Sequence, residues 1–163
     1  MVKKQPKPAW RSGCPLNASV EMLGDRWSLL IVRDMMLRGS KSFKDFLNAF
    51  EKPATNVLAD RLKRLQKFAI IEPQKDLRDA RKINYVLTQK GIDLAPVLTE
   101  MVLWAAAHEQ TQNPQLVAAM CKDKQTFNQM IRTQWEENRS KQVQPVPAKV
   151  KKLKVQSPKA TSE

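Results

Sequence analysis

The sequence predicts a mainly α-helical chain carrying one small β-hairpin. Three observations lead there. Apolar residues recur at helical spacing through most of residues 15–139. Between residues 70 and 87 the pattern changes to two short β-branched runs around a charged turn. The 163 residues suit one domain plus tails. The predicted division is a flexible basic arm over 1–13, a core over 14–110, a helical extension over 111–139, and a disordered Lys- and Pro-rich tail over 140–163.

Residues 1–13 (MVKKQPKPAWRSG) lack an apolar period. A short helix follows over 15–24, with Leu16, Val20 and Leu23 at helical spacing. Asp25 is placed to cap a second helix, Arg26–Arg38, whose buried face is predicted from Trp27, Leu30, Ile31 and Met35; Gly39 fits the position just past its end. Ser42-Phe43-Lys44-Asp45 has the reciprocal capping pattern with Asp in the acidic place. Phe43, Phe46, Leu47 and Phe50 supply the apolar side of the short helix it opens. After Glu51-Lys52-Pro53, a helix from about Thr55 to Phe68 carries Leu58, Leu62, Leu65 and Ala69 as its core stripe. Its other face presents Thr55, Asn56, Ala59, Asp60, Lys63, Arg64 and Lys67.

Ile70–Lys75 reads as a strand, at a sheet edge because Pro73 has no N–H to donate. Asp76–Lys82 forms the tip and Ile83–Leu87 the return strand. Thr88 then caps a helix to about His108, which Pro96 is expected to kink. Residues 114–139 make one or two more helices, with Leu116, Met120, Phe127, Met130, Ile131 and Trp135 as apolar positions. The tail is expected to be disordered from Ser140 onward.

Formal net charge is +13, from 29 Lys+Arg against 16 Asp+Glu. Its distribution says more than its total: +4 over residues 1–13, zero over 14–40, +6 over 41–90, −2 over 91–140 and +5 over 141–163. Within the predicted folded part, the excess falls on the segment with the second capped helix pair and the hairpin. A polyanionic partner is the natural reading. Two cysteines, Cys14 and Cys121, are too few for a disulfide scaffold and lack metal-ligand spacing. Neither a secretory signal nor an apolar run of membrane-spanning length stands out, so a cytoplasmic, nucleoid-associated protein is expected.

Helix, turn, helix and hairpin in that order make a winged helix-turn-helix, in which one helix enters the DNA major groove and the wing touches the backbone. Asn pairs bidentately with adenine, Thr meets a thymine methyl or a base edge, and Asp accepts from cytosine. Asn56, Thr55 and Asp60 stand at the start of the proposed recognition helix, where bases are read. Lys63, Arg64 and Lys67 lie further along, toward phosphates. Wing residues Lys75, Arg78, Arg81 and Lys82 are expected to reach the backbone or a narrow minor groove. About six to ten phosphate contacts per dimer would make binding steeply salt-dependent.

Residues 14–108 resemble the HxlR-type winged helix-turn-helix regulators of bacteria and archaea. CPLNASVEMLGDRWSLLIVRDMMLRG, SFKDFLNAF, ATNVLADRLKRLQ and NYVLTQKGIDLAPVL carry the likeness. The resemblance implies a homodimer whose interface uses the first helix (Leu16, Val20) and the 88–108 helix (Leu98, Met101, Trp104), with both recognition helices facing a pseudo-palindromic operator. It also implies a candidate redox or electrophile sensor in the Cys14-Pro15 thiol. Arg11 nearby and the helix start at Cys14 are conditions under which a thiol becomes reactive. The bland reading of Cys14 is a half-buried packing residue. The chain departs from the family in the loop before the recognition helix, usually Gly-Ile-Ser or Gly-Ile-Ala and here Lys52-Pro53-Ala54, so Thr55 is expected to cap. Nothing transfers from the resemblance to residues beyond 110.

Double-stranded operator DNA and a second copy of the chain are thus the expected partners. A small-molecule effector in the apolar space between dimer helices is a further possibility, and no membrane partner or cofactor is expected. Regulation by repression or activation is the leading reading. The alternative is a nonspecific architectural DNA-binding protein using its basic tails. An enzyme is disfavoured, with one histidine, four glycines and neither nucleophile–base nor phosphate-cradling pattern. His108 is expected to serve at a helix end, and Cys121 in the core.

Overall fold

The computed structural model describes residues 10–143 apart from 77, 78, 80 and 112, with the backbone alone for 141–143. The expectations for residues 1–9 and 144–163, most of the arm and the tail, lie outside the described residues.

Helix α1 (Pro15–Leu23) opens with proline where its missing N–H is not needed. Helix α2 (Arg26–Leu37) is capped by Asp25, whose Oδ1 accepts from the backbone N–H of Trp27 and Ser28, both at 3.0 Å. Past its end Gly39 takes φ +67°, the left-handed geometry that glycine enters without penalty. Helix α3 (Phe43–Leu47) has the reciprocal box: Asp45 N–H donates to Ser42 Oγ at 3.2 Å and Ser42 N–H to Asp45 Oδ2 at 2.8 Å. Helix α4 (Thr55–Lys67) follows.

Strands β1 (Ile71–Lys75) and β2 (Ile83–Leu87) pair antiparallel, Ile71 opposite Leu87 and Lys75 opposite Ile83. The free side of β2 is taken up by the α2–α3 connection: Tyr85 N–H donates to Lys41 O at 2.6 Å, and Ser42 bridges Asn84. Strand β1 is therefore the outer one, which is why Pro73 is tolerated there.

Four more helices follow among the described residues: α5 (Gln89–Ile92), α6 (Ala95–His108), α7 (Pro114–Lys122) and α8 (Lys124–Val143). The single kinked helix expected from Thr88 to His108 is two. Thr88 caps only α5, and Pro96 sits in the first turn of α6, where a backbone N–H would have no helical acceptor and its absence costs nothing. Helix α8 runs past the expected boundary at Ser140, to Val143.

One apolar cluster joins α2, α3, α4, the hairpin and α5, with Val32, Phe46, Leu58, Leu62, Leu65, Ile70, Ile71 and Ile92 inaccessible or nearly so. The three leucines of α4 alone contribute about 1.5–3 kcal/mol each by burial. Met120, Phe127 and Ile131 belong to the same cluster, so α7 and α8 pack onto the winged-helix core. Polar ties reinforce the seam: Arg132 pairs with Asp93 at 2.6 Å, Trp135 Nε1 donates to Leu87 O at 2.9 Å, and Thr99 Oγ1 donates to Asn128 Oδ1 at 2.8 Å.

Several packing expectations need correction. On α2 the buried face is Ser28, Ile31, Val32, Asp34 and Met36; Trp27 and Leu30 are half-buried and stand off the core. Phe50 is 84% exposed because α3 ends at Leu47 and the chain turns away before it. Met130 is exposed and Cys121 lies on the outer side of α7, which turns Met120 inward instead.

Ala69 is not a core residue. It is exposed at φ +53°, past the end of α4. Its N–H donates to Gln66 O, and Ile70 N–H to Leu65 O, both at 2.9 Å. This six-residue closure returns the chain toward β1 and buries Ile70 beside Leu65, with alanine where glycine is usual. Left-handed backbone costs an L-residue about 1–2 kcal/mol. We therefore expect Ala69→Gly to raise unfolding free energy by about 0.5–1 kcal/mol, part of the strain relief being offset by the freer unfolded chain. Urea denaturation checks this, and a lowered midpoint would contradict it.

Candidate nucleic-acid interface

Helix α4 turns Leu58, Leu62 and Leu65 inward and leaves Thr55, Asn56, Asp60, Lys63 and Lys67 exposed. Its N-cap is Ala54, which has no side-chain acceptor, and Thr55 is the first helical residue, so the expected Thr55 cap is not made. The first-turn N–H groups are consequently without a capping side chain, an arrangement favourable to a phosphate. Among the described residues, Asp60 makes only a long contact with Arg61, 3.6 Å.

Arg64 is different from its neighbours. Its guanidinium donates to the backbone carbonyls of Glu21 and Met22 at the end of α1 and lies over the Phe68 ring, 5.6 Å from its centre. The Arg64 guanidinium, expected to meet phosphate, is here engaged in closing α1 onto α4. Trp10 stacks on the same Phe68 ring, with centroids 5.9 Å apart.

Both ends of α4 are fixed from other elements. Ahead of it, Arg33 grips Glu51 with two bonds, 2.8 and 3.0 Å, and holds buried Asp34 as well. Hydrogen bonding from Arg33 draws the Glu51 carboxyl below its ordinary range. Because the folded value is the lower one, this tie contributes fully above the usual Glu range and is lost as pH falls through the lowered value. Lys52, at φ +46°, and buried Pro53 complete the turn. At the middle of α4, Arg61 lies 3.4 Å from Asp25, the cap of α2.

The far end is held by the segment after β2. Lys90 Nζ donates to Phe68 O at 2.9 Å, Thr88 Oγ1 to Ala69 O at 2.7 Å, and Thr88 N–H to Ile70 O at 3.1 Å. A β-carbon added at Gly91 would overlap the Ile70 carbonyl oxygen, so glycine is required by close approach. Residue-type reasoning assigned no role to Thr88, Lys90 and Gly91 beyond a helix cap. The signal was present in their grouping as Leu-Thr-x-Lys-Gly.

At the wing, Lys75, Arg81 and Lys82 are exposed, and Arg81 Nε donates to Asp79 Oδ1 at 3.1 Å. Arg78 lies outside the described residues. Asn84 Nδ2 donates to Asp76 Oδ2 at 2.9 Å, bracing the base of the tip.

Away from α4, α1 exposes Leu16 (71%) and Val20, and α6 exposes Val97, Met101 and Trp104 (66%). Leu98 instead packs against the chain's own core. Cys14 is an exposed free thiol at the N-cap of α1, its backbone N–H donating to Ser12 Oγ at 3.3 Å. His108 ends α6 with its ring 5.5 Å from that of Trp104. Among the described residues, no group of His, Cys, Asp and Glu side chains is arranged to hold a metal, and no helix is long and apolar enough to cross a membrane.

Comparison with known proteins agrees with this geometry. A family model described as HxlR-like helix-turn-helix matches residues 22–113. The HTH-type transcriptional regulator YodB of Bacillus subtilis (strain 168) is 36% identical over 93 residues, 56% of this chain and 82% of its own length. YvaP, an uncharacterized HTH-type transcriptional regulator of the same organism, is also 36% identical over 93 residues, 56% of this chain and 85% of its own. Among solved structures, PA1607, a candidate transcription factor, superposes with a TM-score of 0.57 at 29% identity, covering 63% of this chain and 70% of that one. The reduced form of YodB superposes with a TM-score of 0.50 at 35% identity, covering 60% and 95%.

Proposed function

We propose, from the premise that this chain belongs to the HxlR-like helix-turn-helix family, that it binds a pseudo-palindromic operator as a homodimer, each protomer laying α4 in the major groove. The chain is a DNA-binding transcriptional regulator. The proposal concerns which residues read and grip the DNA and how two copies assemble.

One observation supports the assignment above others. The exposed face of α4 keeps Thr55, Asn56, Asp60, Lys63 and Lys67 available, while the residues that fix the helix are drawn from α1, α2 and the segment after β2. In this reading Asn56, with Thr55 and Asp60, contacts base edges near the helix start. Lys63 and Lys67, with Lys75, Arg81 and Lys82 of the wing, contact phosphates. We extend the wing role to Arg78. Asn56→Ala should weaken binding to the selected operator by about 1–3 kcal/mol and relax preference at one base position. Selection from randomised duplexes followed by titration measures both. Unchanged affinity and preference would reject the base-reading role, and a wild-type ratio of operator to random-DNA affinity near one would favour the architectural alternative.

For assembly, the support is the apolar surface that α1 and α6 leave uncovered in one protomer. Val20→Glu should shift the protein from dimer to monomer in sedimentation equilibrium and lower operator affinity at least about tenfold, because two half-sites are then gripped independently. A variant that stays dimeric would place the interface elsewhere.

Cys14 adds a regulatory reading. It is a free, exposed thiol at the start of α1, within the stretch that carries Leu16 and Val20. The relative YodB has been solved in a reduced form. Modification of Cys14 would place new bulk at the proposed dimer contact. Diamide should weaken operator binding by the wild type and leave Cys14→Ser unaffected; an unresponsive wild type would dismiss the sensor.

A further inference from the structure

The hairpin, the end of α2 and helix α8 enclose a cleft of about 310 Å³, at the lower end of the range in which small organic ligands are held. It is separate from the exposed face of α4. Part of its wall comes from α8, beyond the residues that the family model matches.

The lining has three parts. Its floor is apolar and buried, from Met36, Leu87 and Ile131. Two aromatic side chains, Tyr85 and Trp135, face it, and Trp135 is fixed by its bond to Leu87 O. The charged groups are Lys41, Arg139 and Glu72. Glu72 is met by Arg139 at 3.7 Å, and the Arg139 guanidinium lies over the Trp135 ring at 5.3 Å. The Lys41 ammonium makes no ion pair within 4 Å among the described residues, though its charge acts on the nearby Asp45 carboxylate, and Lys41 and Arg139 against Glu72 leave the cleft lining one positive charge in excess.

An apolar slot with aromatic walls and one positive charge in excess suits a flat hydrophobic anion. We propose that this cleft binds a planar aromatic carboxylate, its ring on the Met36, Leu87 and Ile131 floor and its carboxylate toward Lys41. The occupant would touch β2, which is bonded to Lys41 and Ser42 on its other edge, and α8, which is bonded to Leu87. It would therefore bear on the setting of the wing. Only this effector role rests on the regulator reading; binding itself does not.

The test uses the full-length protein without DNA and 2-naphthoate as the probe. Calorimetry should show one molecule per chain with a dissociation constant below about 1 mM. Lys41→Gln, and replacement of the probe by neutral 2-naphthalenemethanol, should each weaken binding about tenfold, the worth of a charge-assisted contact. Gln134→Trp, an exposed position on the cleft wall, should abolish it while unfolding midpoint and circular dichroism stay those of the wild type. Absence of binding at millimolar probe, equal binding of acid and alcohol, or undiminished binding by Gln134→Trp would overturn the site. Operator affinity with and without 2-naphthoate is measured separately. A change of about fivefold or more supports the effector role, coupling of this size being ordinary between two sites. Binding with unchanged operator affinity overturns that role alone.

Discussion

Everything that presents α4 depends on how its C-terminal end is closed. A helix leaves its last carbonyls without partners, and here the chain must also reverse at once into β1. The backbone answers with Ala69 in the left-handed region and two return bonds to Gln66 and Leu65. The next three carbonyls, of Phe68, Ala69 and Ile70, are taken by Lys90, the Thr88 hydroxyl and the Thr88 N–H. Gly91 allows that approach because a β-carbon there would overlap Ile70 O. The segment leaving the hairpin thus fixes the segment entering it, and α4 is held relative to the wing by bonds that no DNA contact needs to supply.

The motifs that carried the family resemblance acquire physical meaning from this arrangement. Gly-Asp-Arg-Trp and Leu-Ala-Asp-Arg-Leu meet through Asp25 and Arg61. Leu-Thr-x-Lys-Gly forms the clamp just described. None of these anchoring residues lies among the exposed polar positions of α4. Within this chain, then, Asp25, Arg61, Thr88, Lys90 and Gly91 serve the pose of α4 and leave its exposed polar face uncommitted.

Much of this was legible in the sequence because it is local. The leucine stripe of α4, the Asp25 cap, the Ser42–Asp45 box, the Gly39 terminus and both strands follow from spacing and from single residue types. What was not legible depends on distance along the chain or on which of two allowed outcomes wins. Arg64 reads as a surface cation until α1 is placed against it. Ala69 continues an i, i+4 apolar pattern, and without a glycine nothing local announces the turn. Pro96 permits a kink or a new start, and the helix break before it selects the second. Phe50 and Cys121 followed general preference for burial, which the lengths and orientations of α3 and α7 overrule.

Arg64 has one more consequence. It lies on α4, yet its guanidinium rests on the terminal carbonyls of α1, and Phe68 beneath it carries Trp10 on its other contact. In a two-fold assembly joined through α1, the junction between protomers and the two reading heads would share one rigid strut on each side. A small rolling of one subunit against the other would then alter the separation and tilt of the paired heads together. Mismatch with a fixed helical repeat of DNA grows quickly under such gearing, so a disturbance at the subunit seam need not travel through the protein's interior to be felt at the operator.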